Sequence, residues 1–230
     1  MSICSRSIMP AQTDAEKRDR ALIAFALLSG ARDNAIASLS LKHVDIERRI
    51  VFQDARDVRT KNRKTFTTWF FPVGAEVEQI VVEWISFLTK ELGFGPHDPL
   101  FPATKVALGD CGFMAAGLTR HHWKNAGAIR RIFKTAFAQA GLPYANPHSF
   151  RNTLTARGEA LCGPPEEFKA WSQNLGHEHV LTTFTSYGGV ASDRQVEIFN
   201  RLRARSEAGA LTNADDRIAK AVALLTGKAI

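Results

Sequence analysis

The chain has 230 residues, 45% of them hydrophobic and 23% charged, which supports one good core or two small ones and argues against disorder outside the ends. Lys and Arg outnumber Asp and Glu by 30 to 23, a net charge of +7 that favours a polyanionic partner, nucleic acid being the commonest. Cys4, Cys111 and Cys162 form no metal-ligand pattern, Met1–Pro10 lacks a signal-peptide core, and no apolar run reaches bilayer length; a cytoplasmic protein without metal, cofactor or membrane is expected.

Thr13 or Asp14 caps a predicted helix running to Ser29, with Leu22, Phe25, Ala26 and Ser29 on its inward stripe and Gly30 as its stop. A short second helix is expected from Asp33 to about Ser40, leaving Arg32 in the turn between the two. Arg49–Asp54 and Thr65–Phe71 are rich in β-branched and aromatic residues and read as strands. Between them lie Arg56, Arg59, Lys61, Arg63 and Lys64, so the pair reads as a β-hairpin with cations at its tip. Val77, Ile80, Val81, Trp84, Ile85 and Leu88 give a core-facing stripe to a helix over about Ala75–Leu92. Gly93–Pro102, with two Gly and three Pro, is a loop.

Ala128–Ala140 is amphipathic, with Ile129, Ile132, Phe133, Ala136, Phe137 and Ala140 inward and Arg130, Arg131 and Lys134 elsewhere; Gly141 and Pro143 end it. Asn146-Pro147 opens a helix carrying His148 and Arg151 near its start. Pro164-Pro165-Glu166-Glu167 opens another, ending near Leu175-Gly176, with acids where the helix dipole favours them. Helices are also expected over Asp193–Arg205 and Asp215–Leu225. The sum is a mainly helical (α+β) protein with one small antiparallel hairpin or sheet.

Four local patterns carry chemistry. Arg32 follows the Gly-ended first helix, where, taken alone, a merely solvated arginine is the more ordinary reading. His148 and Arg151, three apart, share one face at a helix start that already favours an anion. His177 lies in Asn-Leu-Gly-His just past a helix end; the nearby His179 makes only a weak metal pair. Tyr187 sits among small and hydroxyl residues before two glycines, a setting unlike that of a core tyrosine.

In this order the patterns resemble the catalytic core of the tyrosine recombinases, also called the phage integrase family: an arginine, a hairpin lysine, His-x-x-Arg, Leu-Gly-His, and a tyrosine about ten residues on. The resemblance spans roughly Asp14 to Phe199. It implies a site-specific recombinase or integrase that cuts and rejoins DNA through a 3′-phosphotyrosine at Tyr187. By the resemblance, Arg32 and Arg151 clamp the phosphate oxygens, His148 acts as general base or phosphate donor, and His177 is a further donor. Lys61 or Lys64 protonates the leaving 5′ oxygen; Lys61 precedes the turn and is preferred, while Lys64 has the more usual spacing to Pro72. Arg56, Arg59, Arg63, Lys64, Arg130 and Arg131 are expected on the DNA backbone.

The resemblance implies no metal and no nucleotide energy source, double-stranded DNA as partner in a nucleoid-associated setting, and a monomer that becomes a tetramer on DNA. The expected layout is an extension over 1–13, a catalytic domain over 14–205, and a tail over 206–230. The tail's Ile218, Ala221, Val222 and Leu225 form a stripe that packs on its own domain or docks on a neighbouring protomer. The chain departs from the family in three places. Ala35 stands where relatives carry an acid, with Asp33 nearer; the interval from Arg151 to Tyr187 is long around Cys162–Glu167; and no helical clamp domain precedes the pattern, as in a natural short form or an excised domain. A DNA-binding accessory factor without catalysis and a type IB topoisomerase-like enzyme are the competing readings.

Overall fold

The computed structural model describes residue 9, residues 11–109 and 112–177, and residues 193, 196, 199 and 200. The chain divides into two units, 1–183 and 184–230. Within the second unit the four described residues, Asp193, Val196, Phe199 and Asn200, are helical; the rest of the two helices expected there lies outside the described residues.

Helix α1 (Asp14–Ser29) begins at a full capping box, in which Thr13 Oγ1 accepts from Glu16 N–H while Glu16 Oε2 accepts from Thr13 N–H. All four residues of the expected inward stripe are buried. The helix ends at Gly30, whose φ of 60° is left-handed. Glycine is required there twice over, because a Cβ would also stand 2.9 Å from Leu175 Cδ2 and 3.1 Å from both Leu154 Cδ1 and Phe71 Cε2.

Helix α2 (Asp33–Ile36) is shorter than expected and stops well before Ser40. The Ser38 hydroxyl donates back to the carbonyls of Asn34 and Ala35, and this local bonding competes with continued helix. Strands β1 (Val44–Asp45), β2 (Ile50–Gln53) and β3 (Phe66–Trp69) form an antiparallel sheet in that order. The hairpin read from sequence is β2–β3; β1 is an addition, only two residues long. The connection between β2 and β3 contains a tight turn over Lys61–Arg63, with Asn62 and Arg63 at positive φ.

Helix α3 (Ala75–Ser86) passes into a π-helical turn at Phe87–Glu91 where an unbroken helix is expected. Val81, Trp84 and Leu88 are buried, and Trp84 Nε1 donates to Leu100 O at 2.9 Å. The expectation of a single small sheet is corrected by a second one: β4 (Thr104–Gly109) pairs antiparallel with β5 (Gly112–Leu118). Its residues are mostly small, with little alternation, so the strand signal is weak.

Helices α4 (Gly127–Gln139), α5 (Pro147–Leu161) and α6 (Pro165–Asn174) fall where the sequence places them. The main core joins α1, α2, α3 and α4 through Leu22, Phe25, Ile36, Trp84, Leu100, Phe101, Ile129 and Phe133. A smaller cluster of Phe71, Leu154 and Leu175 ties α5 and α6 to the end of β3. Gly158 lets the two helices approach, since a Cβ there would lie 2.5 Å from Trp171 Cδ1. Trp171 Nε1 then donates to Leu154 O at 2.8 Å. This packing sets the end of α6 beside the start of α5 and the end of α1, and the site lies where they meet.

Candidate active site

Three chain reversals build the site. The left-handed stop at Gly30 turns the chain so that Arg32 becomes the N-cap of α2. Asn146 caps α5, accepting from Ser149 N–H at 3.0 Å, with Pro147 in the first turn. That fixes the helix start from which His148 and Arg151 project. The third reversal follows α6, where Gly176 takes φ 72° and the chain delivers His177.

Arg151 is the most constrained member, at 4% exposure. One of its terminal nitrogens donates to the Gly30 carbonyl and the other to the Leu175 carbonyl at 2.6 Å. The latter also lies 3.3 Å from His177 Nε2. Its Nε is buried without a partner among the described residues. Among the described residues the partners of the guanidinium are two carbonyls and a ring nitrogen, all neutral, with no hydrogen-bonded counter-ion. Burial and, secondarily, the charge of Arg32 push the Arg151 pKa down to about 9. Burial also lowers that of Arg32. Among the described residues no hydrogen bond or ion pair holds the Arg32 side chain.

Arg32, Asp33, Arg130, Tyr144, Asn146, Pro147, His148 and Arg151 line one cavity of about 490 Å³. The carboxylate in this wall is already engaged: Asp33 accepts from Arg130 Nε at 2.8 Å and from Asn34 N–H at 2.9 Å. Ala35, where an acid was noted as missing, is wholly buried in the core.

Both histidines are held neutral. Burial, then the charges of Arg151 and Arg32, lowers the His148 pKa; Asp33 opposes this and Lys61 adds to it. His177 is pushed down to about 4 by burial, then by Arg151, Arg32, His148 and Lys61. A neutral His177 accepts from Arg151 through Nε2, which leaves its proton on Nδ1.

Of the residues picked out from sequence, the structure therefore brings together Arg32, His148, Arg151 and His177, with the Lys61 charge acting on both histidines. Lys64 follows the tight turn in extended backbone. Tyr187 lies outside the described residues. The expected DNA-contacting arginines divide into two groups. Arg56 is paired with Asp54 at 2.6 Å, Arg130 with Asp33, and Arg59 donates to the carbonyls of Trp123 and Lys124. Arg63 and Arg131 are exposed and carry no side-chain hydrogen bond or ion pair among the described residues. Sequence reasoning missed Tyr144 on the cavity wall, although the rarity of tyrosine in this chain pointed at it. It also missed the Gly30 and Leu175 carbonyls, which no side-chain pattern can announce.

The family model described as "Phage integrase family" matches residues 5–193. Among solved structures, the chain is similar to XerA recombinase at 19% identity and a TM-score of 0.54, over 88% of this chain and 66% of that one. It is also similar to the Tn1549 transposon integrase in complex with transposon right end DNA (19% identity, TM-score 0.46, 80% and 58% covered). A third is the integrase from mycobacterium phage Brujita, at 15% identity and a TM-score of 0.37, with 83% and 63% covered. The chain thus spans less than two thirds of the length of each of these proteins. No curated protein sequence matches it significantly. The XerA likeness shows the fold, and the family match extends over most of the sequence: the chain belongs to the phage integrase family of tyrosine recombinases, the proteins of DNA integration and recombination.

Proposed function

We propose that this recombinase cleaves and rejoins double-stranded DNA through a covalent 3′-phosphotyrosine at Tyr187, within a catalytic domain over 14–205. One observation carries the reading. Two arginines with no acidic partner among the described residues, Arg32 and Arg151, line a single cavity with His148, and the carboxylate of that wall is already paired with Arg130.

A phosphodiester entering the cavity supplies the negative charge that Arg151 and Arg32 lack, and guanidinium forks suit its two free oxygens. The Tyr187 oxygen attacks phosphorus, forming a P–O bond to tyrosine as the bond to the 5′ oxygen breaks. His148, neutral at pH 7, accepts the phenol proton. The leaving 5′ oxygen takes a proton from Lys61, whose charge reaches the two histidines. His177 holds Arg151 and presents Nδ1–H. Religation reverses these transfers, and the phosphotyrosine conserves the bond energy, so the scheme needs no ATP. Each preorganised donor is worth about 2.7–4 kcal/mol in such a transition state. Exposed Arg63 and Arg131 serve the DNA backbone, with a tetramer on DNA as the working assembly.

Suicide substrates, nicked beside the scissile phosphate and drawn from the DNA flanking the gene, test this. A covalent adduct that disappears in Tyr187→Phe while DNA binding persists is the expected result. Salt-sensitive binding with no adduct on any authentic site would make the chain an accessory factor instead. Relaxation of any supercoiled plasmid regardless of sequence would indicate the topoisomerase-like reading.

A further inference from the structure

The turn that ends α6 carries two parts of the site. The Leu175 carbonyl accepts from Arg151, and His177 contacts the same guanidinium. One side chain makes two of the bonds that fix this turn. Among the described residues strand β3 pairs only with β2, which leaves the peptide groups of its other side to find partners outside the ladder. At Trp69 that edge is closed by Asn174. Trp69 N–H donates to Asn174 Oδ1 at 2.7 Å, and Asn174 Nδ2 donates to Trp69 O at 2.9 Å. Only a carboxamide offers a donor and an acceptor with this geometry, the pattern a neighbouring strand would present.

Two more contacts run in parallel. The Thr68 hydroxyl donates to the Asn174 carbonyl at 3.3 Å and accepts from Gln53 Nε2 at 3.1 Å. A Cβ on Gly176 would lie 3.1 Å from Phe66 Cε2 and Cζ. The turn is thus docked on the strand that follows directly from the lysine-bearing turn at Lys61–Arg63. Asn174 itself is absent from the wall of the site cavity.

We infer that Asn174 is a positioning residue: by acting as a false rung on β3 it registers the Leu175–His177 turn, and through it Arg151, against the sheet that carries the catalytic lysine. The inference rests on the proposed transesterification only for its effect on cleavage. Its effect on His177 is a property of the free protein.

The test therefore reads both. Full-length chain labelled on histidine is titrated by NMR, with His177 assigned through His177→Gln. In the wild type the ring titrates far below an ordinary histidine, under burial and the charges of Arg151, Arg32, His148 and Lys61. In Asn174→Ala the turn loosens, and the ring should titrate higher by about one pH unit or more as those influences weaken. Asn174→Leu, near-isosteric and uncharged but able to form neither bond with Trp69, serves where the alanine variant unfolds; it should shift His177 in the same direction. Single-turnover cleavage should fall tenfold or more, by about the loss that ångström-scale misplacement causes, while DNA affinity changes less than about twofold.

A His177 titration identical to wild type in a folded variant overturns the inference, whatever the enzyme does. Wild-type protein that forms no adduct on authentic DNA overturns the proposed function, and leaves the NMR result to decide the role of Asn174.

Discussion

Replacing Gly30 with alanine separates two physical effects that the structure places at one residue. The left-handed backbone at φ 60° disfavours any Cβ by about 1–2 kcal/mol. The new methyl would also meet Leu175 Cδ2 at 2.9 Å and two more side-chain carbons at 3.1 Å. All three neighbours are buried, in a cluster that closes α5 and α6 on β3, so overpacking adds about 1–3 kcal/mol. The sum is a loss of about 2–5 kcal/mol. Gly141 is the internal control: its φ is 65°, but nothing lies within 4 Å of a built Cβ, so Gly141→Ala should show the backbone effect alone, about 1 kcal/mol. Urea unfolding of both variants, followed by tryptophan fluorescence with the m-value checked for constancy, gives the difference directly. Equal losses in the two variants would refute the claim that Gly30 is packed to its limit. The same experiment extends to activity, because the Gly30 carbonyl accepts from Arg151: Gly30→Ala should slow DNA cleavage even where the protein is fully folded.

Arg151→Lys keeps a cation but cannot span the Gly30 and Leu175 carbonyls at once; single-turnover cleavage should drop about 10²–10³-fold, and a drop below threefold would contradict the clamp. Because burial, then the neighbouring arginines, lower the His148 and His177 pKa values, each ring stays neutral to a lower pH than a free histidine, and activity should persist below pH 6.5. The acid limb should lie below the pH at which a free histidine protonates, set by His148 as the proposed proton acceptor; loss of half the activity at pH 6.5, with folding intact, would contradict this. Gly158→Ala should destabilise the α5–α6 contact, because the Trp171 ring lies 2.5 Å from the built Cβ, and Gly158→Ala combined with Trp171→Leu should recover part of that loss in the same unfolding assay.

The helices were legible because their signals are local. Thr13 with Glu16, Gly30, Asn146-Pro147 and Pro164-Pro165 are stop and start marks whose chemistry acts within one turn, and each sits where it was read. Elements governed by tertiary contacts were not. β1 is two residues whose pairing depends on β2; β4 and β5 are made of small residues with weak alternation; α2 is cut short by a serine bonding backward. At the site the side chains were legible through their order along the chain, whereas their supports were not. Arg151 is oriented by backbone carbonyls of residues 30 and 175, one of them 121 positions away, and Asn174 acts through a strand edge that exists only in the folded sheet. Charge did not announce that Arg56, Arg59 and Arg130, expected on the DNA backbone, also have partners within the protein.

The electrostatics of Arg151 suit this arrangement to an anion such as a phosphate. A buried cation whose partners are all neutral remains poorly compensated. The nearby charge of Arg32 worsens its position, and burial first, then neighbouring positive charge, lowers the Arg151, His148 and His177 pKa values. The carboxylate that might relieve it, Asp33, is directed to Arg130 instead. Folding therefore holds the site in a state of unsatisfied positive potential, maintained by packing around Gly30, Leu154 and Leu175 rather than by local ion pairing. In the proposed reaction an incoming phosphodiester would neutralise that potential, and the extra negative charge gathering on its oxygens as the nucleophile enters would neutralise it further. Had Asp33 paired with Arg32 or Arg151, the protein would be more stable and the transition state less so.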